Sequence, residues 1–134
     1  MFLQPTSLKF KNYRKGKITK LEFKSNKLKF GTIGLKCIES GIITARQLES
    51  ARQSIVRKTN RKIKLWIRIY PNLPITAKPS EVRMGKGKGA VHHWAAKVKA
   101  GQVIFEMCCT EFYLSTLAFN IGKSKLPLRT KIFF

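Results

Sequence analysis

The residues best suited to chemistry lie in a glycine-rich segment at residues 81–89, which reads Glu-Val-Arg-Met-Gly-Lys-Gly-Lys-Gly. Glycines at every second position remove side chains and let this backbone approach another backbone closely. The alternating lysines and the preceding arginine offer cations to phosphate groups. The order matches neither GxGxxG nor the Walker sequence GxxxxGK[ST], so nucleotide hydrolysis is poorly supported. We expect a flexible basic loop that enters folded RNA, with a disordered solvent loop as the alternative.

The net charge points to the same kind of partner. The 134 residues include 28 Lys and Arg against six acidic residues, a formal charge of +22. So much like charge opposes compaction unless a polyanion neutralises it. Nucleic-acid phosphate is the usual polyanion, because each neutralised phosphate releases a counterion. Since 43% of the residues are hydrophobic, the chain can also bury a core.

The acidic residues are too few and too scattered for most catalytic sites. All six are glutamates, whereas glycoside chemistry, magnesium clusters and Ser-His-Asp triads need acids held close together. Cys37, Cys108 and Cys109 form neither a CxxC motif nor an even disulfide framework. Buried free thiols are favoured, with zinc bound by these cysteines and His92 or His93 as the alternative. His92 and His93 should face opposite sides of a strand, so they do not easily form one metal or catalytic pair. We therefore expect no catalytic residue, no metal, no cofactor and no small-molecule substrate.

Residues 1–29 are predicted to be a basic arm. They hold nine basic residues and one acid, with no clear hydrophobic period. Because lysine rather than arginine and serine dominates, an arm lying along RNA is favoured over a transit peptide. We expect the arm to order only against its partner. No run of 18 apolar residues occurs, so no membrane insertion is expected.

Residues 30–134 are predicted to form a single domain that begins with a strand through Ile33, Leu35 and Cys37. Thr44 and Gln47 then form a capping box, flanked by a hydrophobic staple of Ile43 and Leu48, which marks the first helix. An apolar stripe follows at helical spacing, and a second set of residues shares the opposite, solvent-side face. The stripe is Ala45, Leu48, Ala51, Ile55 and Val56, and the opposite face is Arg46, Gln53 and Arg57.

A strand with two contrasting faces follows the basic turn that ends at Arg61. Ile63, Leu65, Ile67 and Ile69 alternate toward the core. The other face interleaves cations and rings, which suits RNA phosphates and stacked bases. Its residues are Lys62, Lys64, Trp66, Arg68 and Tyr70. Packing of these rings under another element is the alternative.

The last third predicts a hairpin, a helix and a strand. The hairpin joins Val91–Lys99 to Val103–Cys108 around a turn at residues 100–101. Thr110 would open the second helix and Gly122 would end it. Its apolar stripe is Leu114, Leu117, Ala118 and Ile121, and the final strand is Leu128–Phe133. The whole predicts an α+β, two-layer domain with two helices packed on a mixed, mainly antiparallel sheet.

Short segments spread along almost the whole chain occur in an order that is typical of one protein family. They are Leu3-Gln4-Pro5, Lys9-Phe10-Lys11, Phe30-Gly31, Gly34, Ile43–Arg52, Leu65–Pro71, Pro74–Gly89, Trp94, Phe105–Met107 and Lys125–Lys131. In this order they resemble the large-subunit ribosomal protein L-sixteen family, whose archaeal and eukaryotic relatives are named L-ten-e. His93, in place of the usual aromatic residue, and the Cys108-Cys109 pair depart from the family pattern.

The resemblance implies a domain seated on large-subunit rRNA near the central protuberance, beside neighbouring large-subunit proteins. It implies a surface that lines the A-site tRNA path, and a role in supporting the peptidyl-transferase region and late assembly without catalysis. The candidate rRNA or tRNA contacts are Arg14, Lys15, Arg46, Arg52, Arg57, Arg61, Lys64, Arg68, Arg83, Met84, Gly85, Lys86, Gly87, Lys88, Lys125 and Arg129.

The sequence also bears on the compartment of the protein and on functions other than ribosomal RNA binding. The likeness begins at residue 1, so we expect no cleaved targeting peptide. The heavy use of Lys, Ile, Phe and Asn is typical of an AT-rich genome, which favours a mitochondrion, with a plastid or the bacterial cytoplasm as alternatives. An enzyme using the glycine loop and a nucleic-acid chaperone outside the ribosome are the competing functions. The chaperone fits the composition equally well but does not explain the full-length resemblance.

Overall fold

The strands form two antiparallel sheets. The computed structural model describes residues 3–7, 9–10, 12–108 and 111–134. In chain order the elements are β1 (Ile33–Cys37), β2 (Gly41–Thr44), α1 (Ala45–Lys58), β3 (Leu65–Ile67), β4 (Leu73–Thr76), β5 (Val91–Val98), β6 (Val103–Met107), α2 (Phe112–Lys123) and β7 (Thr130–Phe133). One sheet has the order β3-β6-β1-β7 and the other β2-β5-β4. Every strand pairing among the described residues is antiparallel.

The predicted hairpin is wrong in its pairing. β5 and β6 follow one another around a turn, but β5 pairs with β2 and β4, while β6 pairs with β1 and β3. The turn is bonded to the end of β1 instead: Cys37 donates its N–H to the Gln102 carbonyl at 2.9 Å and accepts from Gly101 at 2.8 Å. The turn therefore carries the chain from one sheet to the other.

Two short strands, β2 and β4, were not predicted. Proline has no backbone N–H to donate to a strand pairing, so Pro74 did not indicate a strand. Pro74 is nevertheless part of β4, which lies at the edge of its sheet. An edge strand tolerates proline because one side of its backbone makes no ladder bonds.

Helix α1 begins as predicted. Thr44 accepts the N–H of Gln47 at 3.2 Å, and the Gln47 side chain accepts the N–H of Thr44 at 2.9 Å, which completes the capping box. Leu48, Ala51 and Ile55 are the buried residues of this helix. The helix packs against α2 and against strands β2 and β5. The predicted face of Arg46, Gln53 and Arg57 is exposed. Local spacing therefore suffices to orient this helix.

Helix α2 is turned by about one residue from the predicted stripe. Its buried residues are Ser115, Ala118, Phe119 and Gly122, whereas Leu114, Leu117 and Ile121 are half-buried. Small residues face α1 because the two helices approach closely. A Cβ built on Gly122 would lie 2.6 Å from Cγ1 of Ile55. Gly122 lies inside the helix, which ends at Lys123, and the predicted opening residue Thr110 lies outside the described residues.

Replacing Gly122 with alanine is expected to destabilise the fold by about 1–3 kcal/mol, because the added methyl group overpacks the contact with buried Ile55. This is the net change: the cost of overpacking should exceed the roughly 1 kcal/mol that alanine gains over glycine in a helix interior. Urea unfolding measures the change. The cost should shrink in an Ile55→Ala background, which removes both overlapping atoms, and an unchanged cost there would contradict the packing assignment.

A buried carboxylate fastens the segment that leads into β1. Glu106 of β6 is fully buried and accepts the backbone N–H groups of Lys29, Phe30 and Gly31 at 3.1, 2.7 and 3.0 Å. It also forms an ion pair with Arg68. A buried charge is costly unless it is paired and hydrogen-bonded, and here both conditions are met. The division of the chain into an arm at residues 1–29 and a domain at residues 30–134 stays a prediction.

The α+β class, with two helices packed against antiparallel sheets, is confirmed. The core joins the inner faces of both helices to the strands, with Ile33, Leu35, Ile43 and Phe105 among its most buried side chains. No helix in the described ranges is both long enough and apolar enough to cross a membrane.

Candidate nucleic-acid interface

The glycine–lysine loop is fastened at its base. Ala77 donates its N–H to the Ala90 carbonyl at 3.1 Å, which closes the loop. A Cβ on Gly89 would overlap the carbonyl oxygen of Ala77, so Gly89 makes the close backbone approach that the sequence predicted. Gly85 and Gly87 have open space around them but φ angles of +102° and +85°, which disfavour a side chain. Gly89 is therefore required by close packing, and Gly85 and Gly87 by their backbone conformation.

The tip of this loop is open to solvent. Every residue from 81 to 88 is exposed, and Met84 is 99% exposed. Lys86 has a left-handed φ of +49°, a conformation that costs a non-glycine residue free energy. Lys78, outside the tip, donates to the carbonyl of Gly85. The loop thus presents Arg83 and Lys86 outward on a backbone whose turns are set by glycine.

The loop also touches the arm. The ammonium group of Lys88 donates to the carbonyl of Tyr13 at 2.8 Å. The Lys97 ammonium group of β5 lies 5.4 Å from the centre of the Tyr13 ring. Arg14 and Lys15, the predicted arm contacts, follow Tyr13 and are exposed. Tyr13 was not among the predicted residues, but it joins the two basic segments.

A second basic surface lies at the C-terminal end of α1. Arg61 donates its N–H to the Val56 carbonyl at 3.0 Å in a left-handed turn, which brings it back beside Arg57. Together these residues line an open groove with Arg52, Gln53, Val56 and Asn60. Arg57 and Arg61 are both exposed, as a phosphate contact requires.

Arg52 differs from its neighbours in this groove. Its guanidinium donates two hydrogen bonds to the Glu49 carboxylate, at 2.9 and 2.7 Å. The guanidinium of Arg52 lowers the pKa of Glu49, so both groups are charged at neutral pH. Although Arg52 was predicted as an RNA contact, the structure neutralises its charge within the helix.

The strand predicted to offer cations and rings is shorter than expected but does carry both. Phe30 stacks on Trp66 with centroids 6.1 Å apart and the planes inclined by 24°. Lys29 lies 5.6 Å from the centre of the Phe30 ring, and Lys64 lies 5.3 Å from that of Trp66. The Arg68 side chain is largely buried and is held by Glu106 in an ion pair, so it is less available to a partner than Lys64. Phe30, which was not among the predicted contacts, supplies the more exposed ring.

Lys125 and Arg129 lie on the segment between α2 and β7, and both are exposed. The backbone N–H of Arg129 donates to the Glu39 carboxylate at 2.6 Å, which fixes the segment. These two residues belong to a different surface element from the loop, the arm and α1. The candidate contacts are therefore several patches rather than one groove.

The prediction that His92 and His93 lie apart is wrong. They were expected on opposite faces of a strand, but their Nδ1 atoms are 2.9 Å apart. The cause is an irregularity in the β4–β5 register. His93 lies opposite Ile75 and Val91 lies opposite Thr76, so His92 is an extra residue without a partner. A bulge of this kind re-aims a side chain.

The two cysteines that the structure describes differ in exposure. Cys37 is buried, and burial raises the pKa of its thiol to about 12. Cys108 is an exposed free thiol, and Cys109 lies outside the described residues. Within the part of the chain that the structure describes, no three His, Cys, Asp or Glu side chains are grouped to hold a metal ion.

Comparisons with known proteins match nearly the whole chain to one family. Residues 8–133 match the family model described as ribosomal protein L16p/L10e. A protein of Methylorubrum extorquens (strain PA1), named large ribosomal subunit protein uL16, is 46% identical over 130 residues, which cover 97% of this chain and 95% of that protein. Proteins of the same name from Sulfurovum sp. (strain NBC37-1) and Caulobacter vibrioides (strain NA1000 / CB15N) are 45% identical, with 92% and 91% of their lengths covered.

These relatives are bacterial, which agrees with the bacterial alternative and gives no support to the mitochondrial prediction. Their shared name is that of a ribosomal component, which removes the enzyme hypothesis. The family match covers nearly the whole chain in one piece. The chain therefore belongs to the ribosomal protein L16p/L10e family, whose members are structural, non-enzymatic components of the large ribosomal subunit.

Proposed function

We propose that this protein binds large-subunit rRNA near the central protuberance and lines the path of A-site tRNA through the loop at residues 81–89. The observation that carries the proposal is the excess of free cations on the surface. Among the described residues, three glutamates form ion pairs, with Arg52, Arg68 and Lys99. The other lysines and arginines far outnumber the remaining acids, so an RNA backbone is the partner that their charge fits.

The proposed contacts follow from exposure. Arg83, Lys86 and Lys88 on the loop would reach toward the peptidyl-transferase region, with Met84, Gly85 and Gly87 forming the rest of the tip. Arg46 and Arg57 on α1, with Arg61 in the turn that follows it, would meet rRNA phosphates. Lys64 beside the Phe30–Trp66 stack would meet an RNA strand whose bases can stack. Arg14, Lys15, Lys125 and Arg129 complete the set, with the arm at residues 1–29 lying on rRNA. Neighbouring large-subunit proteins would contact the remaining surface.

The compartment is part of the proposal. The lysine- and isoleucine-rich composition supports synthesis from an AT-rich genome, and we propose an organelle ribosome, with a mitochondrion first. Co-purification of the protein with mitochondrial ribosomes supports this location. Recovery only with ribosomes of a bacterial cytoplasm or a plastid contradicts it, while leaving the RNA-binding role intact.

A matched pair of arginines tests phosphate binding. Arg57→Ala should lower the slope of log affinity against log salt concentration by about 1, because it removes one phosphate contact. Arg52→Ala removes the same formal charge five residues away, but that charge is already neutralised by Glu49. Its effect on the slope should be much smaller.

The measurement is binding of each variant to a large-subunit rRNA transcript over a salt series. The wild-type affinity should fall by about 10³–10⁵ between roughly 50 and 200 mM salt if some 6–10 phosphates are contacted. A flat salt response would contradict a phosphate-dominated interface. An effect of Arg52→Ala equal to that of Arg57→Ala would show that the ion pair with Glu49 does not decide which arginine binds.

A further inference from the structure

We propose that the cleft around His92 and His93 binds a backbone phosphate of RNA, and that this phosphate binds together with a proton taken up by the histidine pair. The inference deepens the proposed function and rests on it, because it names one contact within an RNA interface. The cleft has a volume of about 450 Å³. It is lined by Gln4, Thr44, Ala45, Arg46, Val91, His92, His93 and Trp94.

The geometry of the pair defines where the proton goes. With Nδ1 atoms 2.9 Å apart, one neutral ring donates its Nδ1 hydrogen to the lone pair of the other. The donating ring then has a free lone pair on Nε2, and this atom accepts the added proton. The donor becomes an imidazolium, and the Nδ1 hydrogen bond becomes a stronger, charge-assisted one. The pair can therefore gain one positive charge without breaking its contact.

The surroundings keep this charge off the free protein. Burial, followed by the charges of His92, Arg46 and Lys15, holds the pKa of His93 below its ordinary value of 6.5. Ile75 and Thr76, which lie opposite this part of β5 on β4, do not titrate. Among the described residues that line the cleft, none is acidic. The cleft therefore combines a cationic side chain with two imidazole rings, and no carboxylate among its described lining residues balances their charge.

A phosphate supplies that anion. It would be attracted by the guanidinium of Arg46, an exposed side chain in the first turn of α1, and by the ammonium group of Lys15 from the arm. The positive end of the α1 dipole adds to this attraction, since the first turn carries no acidic residue. A negative charge beside the pair favours its protonated form. Phosphate binding and proton uptake therefore reinforce each other.

The expected pH dependence follows from this linkage. His93 is neutral in the free protein above its depressed pKa, and a bound phosphate should raise that pKa. Affinity should therefore rise as the pH falls toward and below the ordinary pKa of histidine. A rise of about one unit in the pKa corresponds to roughly tenfold tighter binding once the pH is below both values. These are the only two histidines in the sequence, and histidine is the side chain that normally titrates in this range.

The test measures binding of the full chain to a large-subunit rRNA transcript at about pH 7.5, 6.5 and 5.5 and constant ionic strength, with the range set by the histidine pKa. The double variant His92→Gln/His93→Gln keeps hydrogen-bonding side chains but cannot take up the proton. Wild type should bind up to roughly tenfold more tightly at the lowest pH than at the highest, and the variant should show no such gain. Equal pH responses in both proteins would overturn the proposal.

A second measurement does not depend on the variant. NMR titration of the two histidine Cε1–H signals gives the pKa values of the pair with and without the transcript. A higher pKa in the complex supports the proposal, and an unchanged pKa overturns it while the RNA-binding role stands. If wild type fails to bind the transcript at every pH, the proposed function itself is contradicted.

Discussion

Replacing Glu106 with glutamine is expected to lower the free energy of unfolding by about 3–5 kcal/mol. The glutamine leaves the largely buried guanidinium of Arg68 without its carboxylate partner. The amide keeps a single acceptor oxygen, so it cannot accept from both Arg68 and the backbone N–H groups of Lys29, Phe30 and Gly31, and its NH2 group then faces a donor. Urea unfolding followed by circular dichroism measures the loss, and the segment that leads into β1 should loosen with it.

The matched control is Glu49→Gln, which breaks the partly exposed ion pair with Arg52. Pairs near the surface contribute about 0–1 kcal/mol, so this variant should remain close to wild type. Equal destabilisation by the two substitutions would show that the buried carboxylate does not fasten the segment at residues 29–31.

Replacing Arg83, Lys86 and Lys88 together with alanine is expected to weaken binding to a large-subunit rRNA transcript by on the order of 10²-fold near about 0.15 M salt. The salt slope should also fall by roughly 1 for each phosphate that the variant no longer binds. The fold should be unaffected, because all three side chains are exposed. In assembled large subunits the same variant should reduce occupancy of the A site by tRNA, or delay late assembly.

The control for this loop conserves charge: Arg83→Lys, Lys86→Arg and Lys88→Arg in one chain. Binding within a few-fold of wild type is expected, because phosphate contacts depend mainly on the positive charge and its reach. Wild-type rRNA binding, assembly and A-site occupancy in the alanine variant would contradict the loop assignment.

Features set by neighbouring residues could be predicted from the sequence. The capping box of Thr44 and Gln47, the exposed Arg46–Arg57 face of α1 and the open glycine–lysine loop all depend on residues close together in the chain, and all three are present. Gly89 makes the predicted close approach. Exposure of the loop lysines follows from their charge alone.

Features set by distant residues could not. Glu106 is bound by groups 75–77 residues away along the chain, and its spacing in β6 gives no sign of this. The strands β5 and β6 have the sequence of a hairpin, but partners elsewhere in the chain decide which sheet each one joins. The contact between His92 and His93 depends on a bulge opposite Ile75 and Thr76. Helix α2 turns its small residues inward because α1 lies so close.

The most direct test of the central claim is sedimentation of the tagged protein on a sucrose gradient, with and without ribonuclease treatment. We predict that the protein migrates with the large ribosomal subunit and leaves that fraction when the RNA is digested. Migration as free protein, or in a light RNA complex away from the subunit, would contradict an rRNA-bound role in the large subunit.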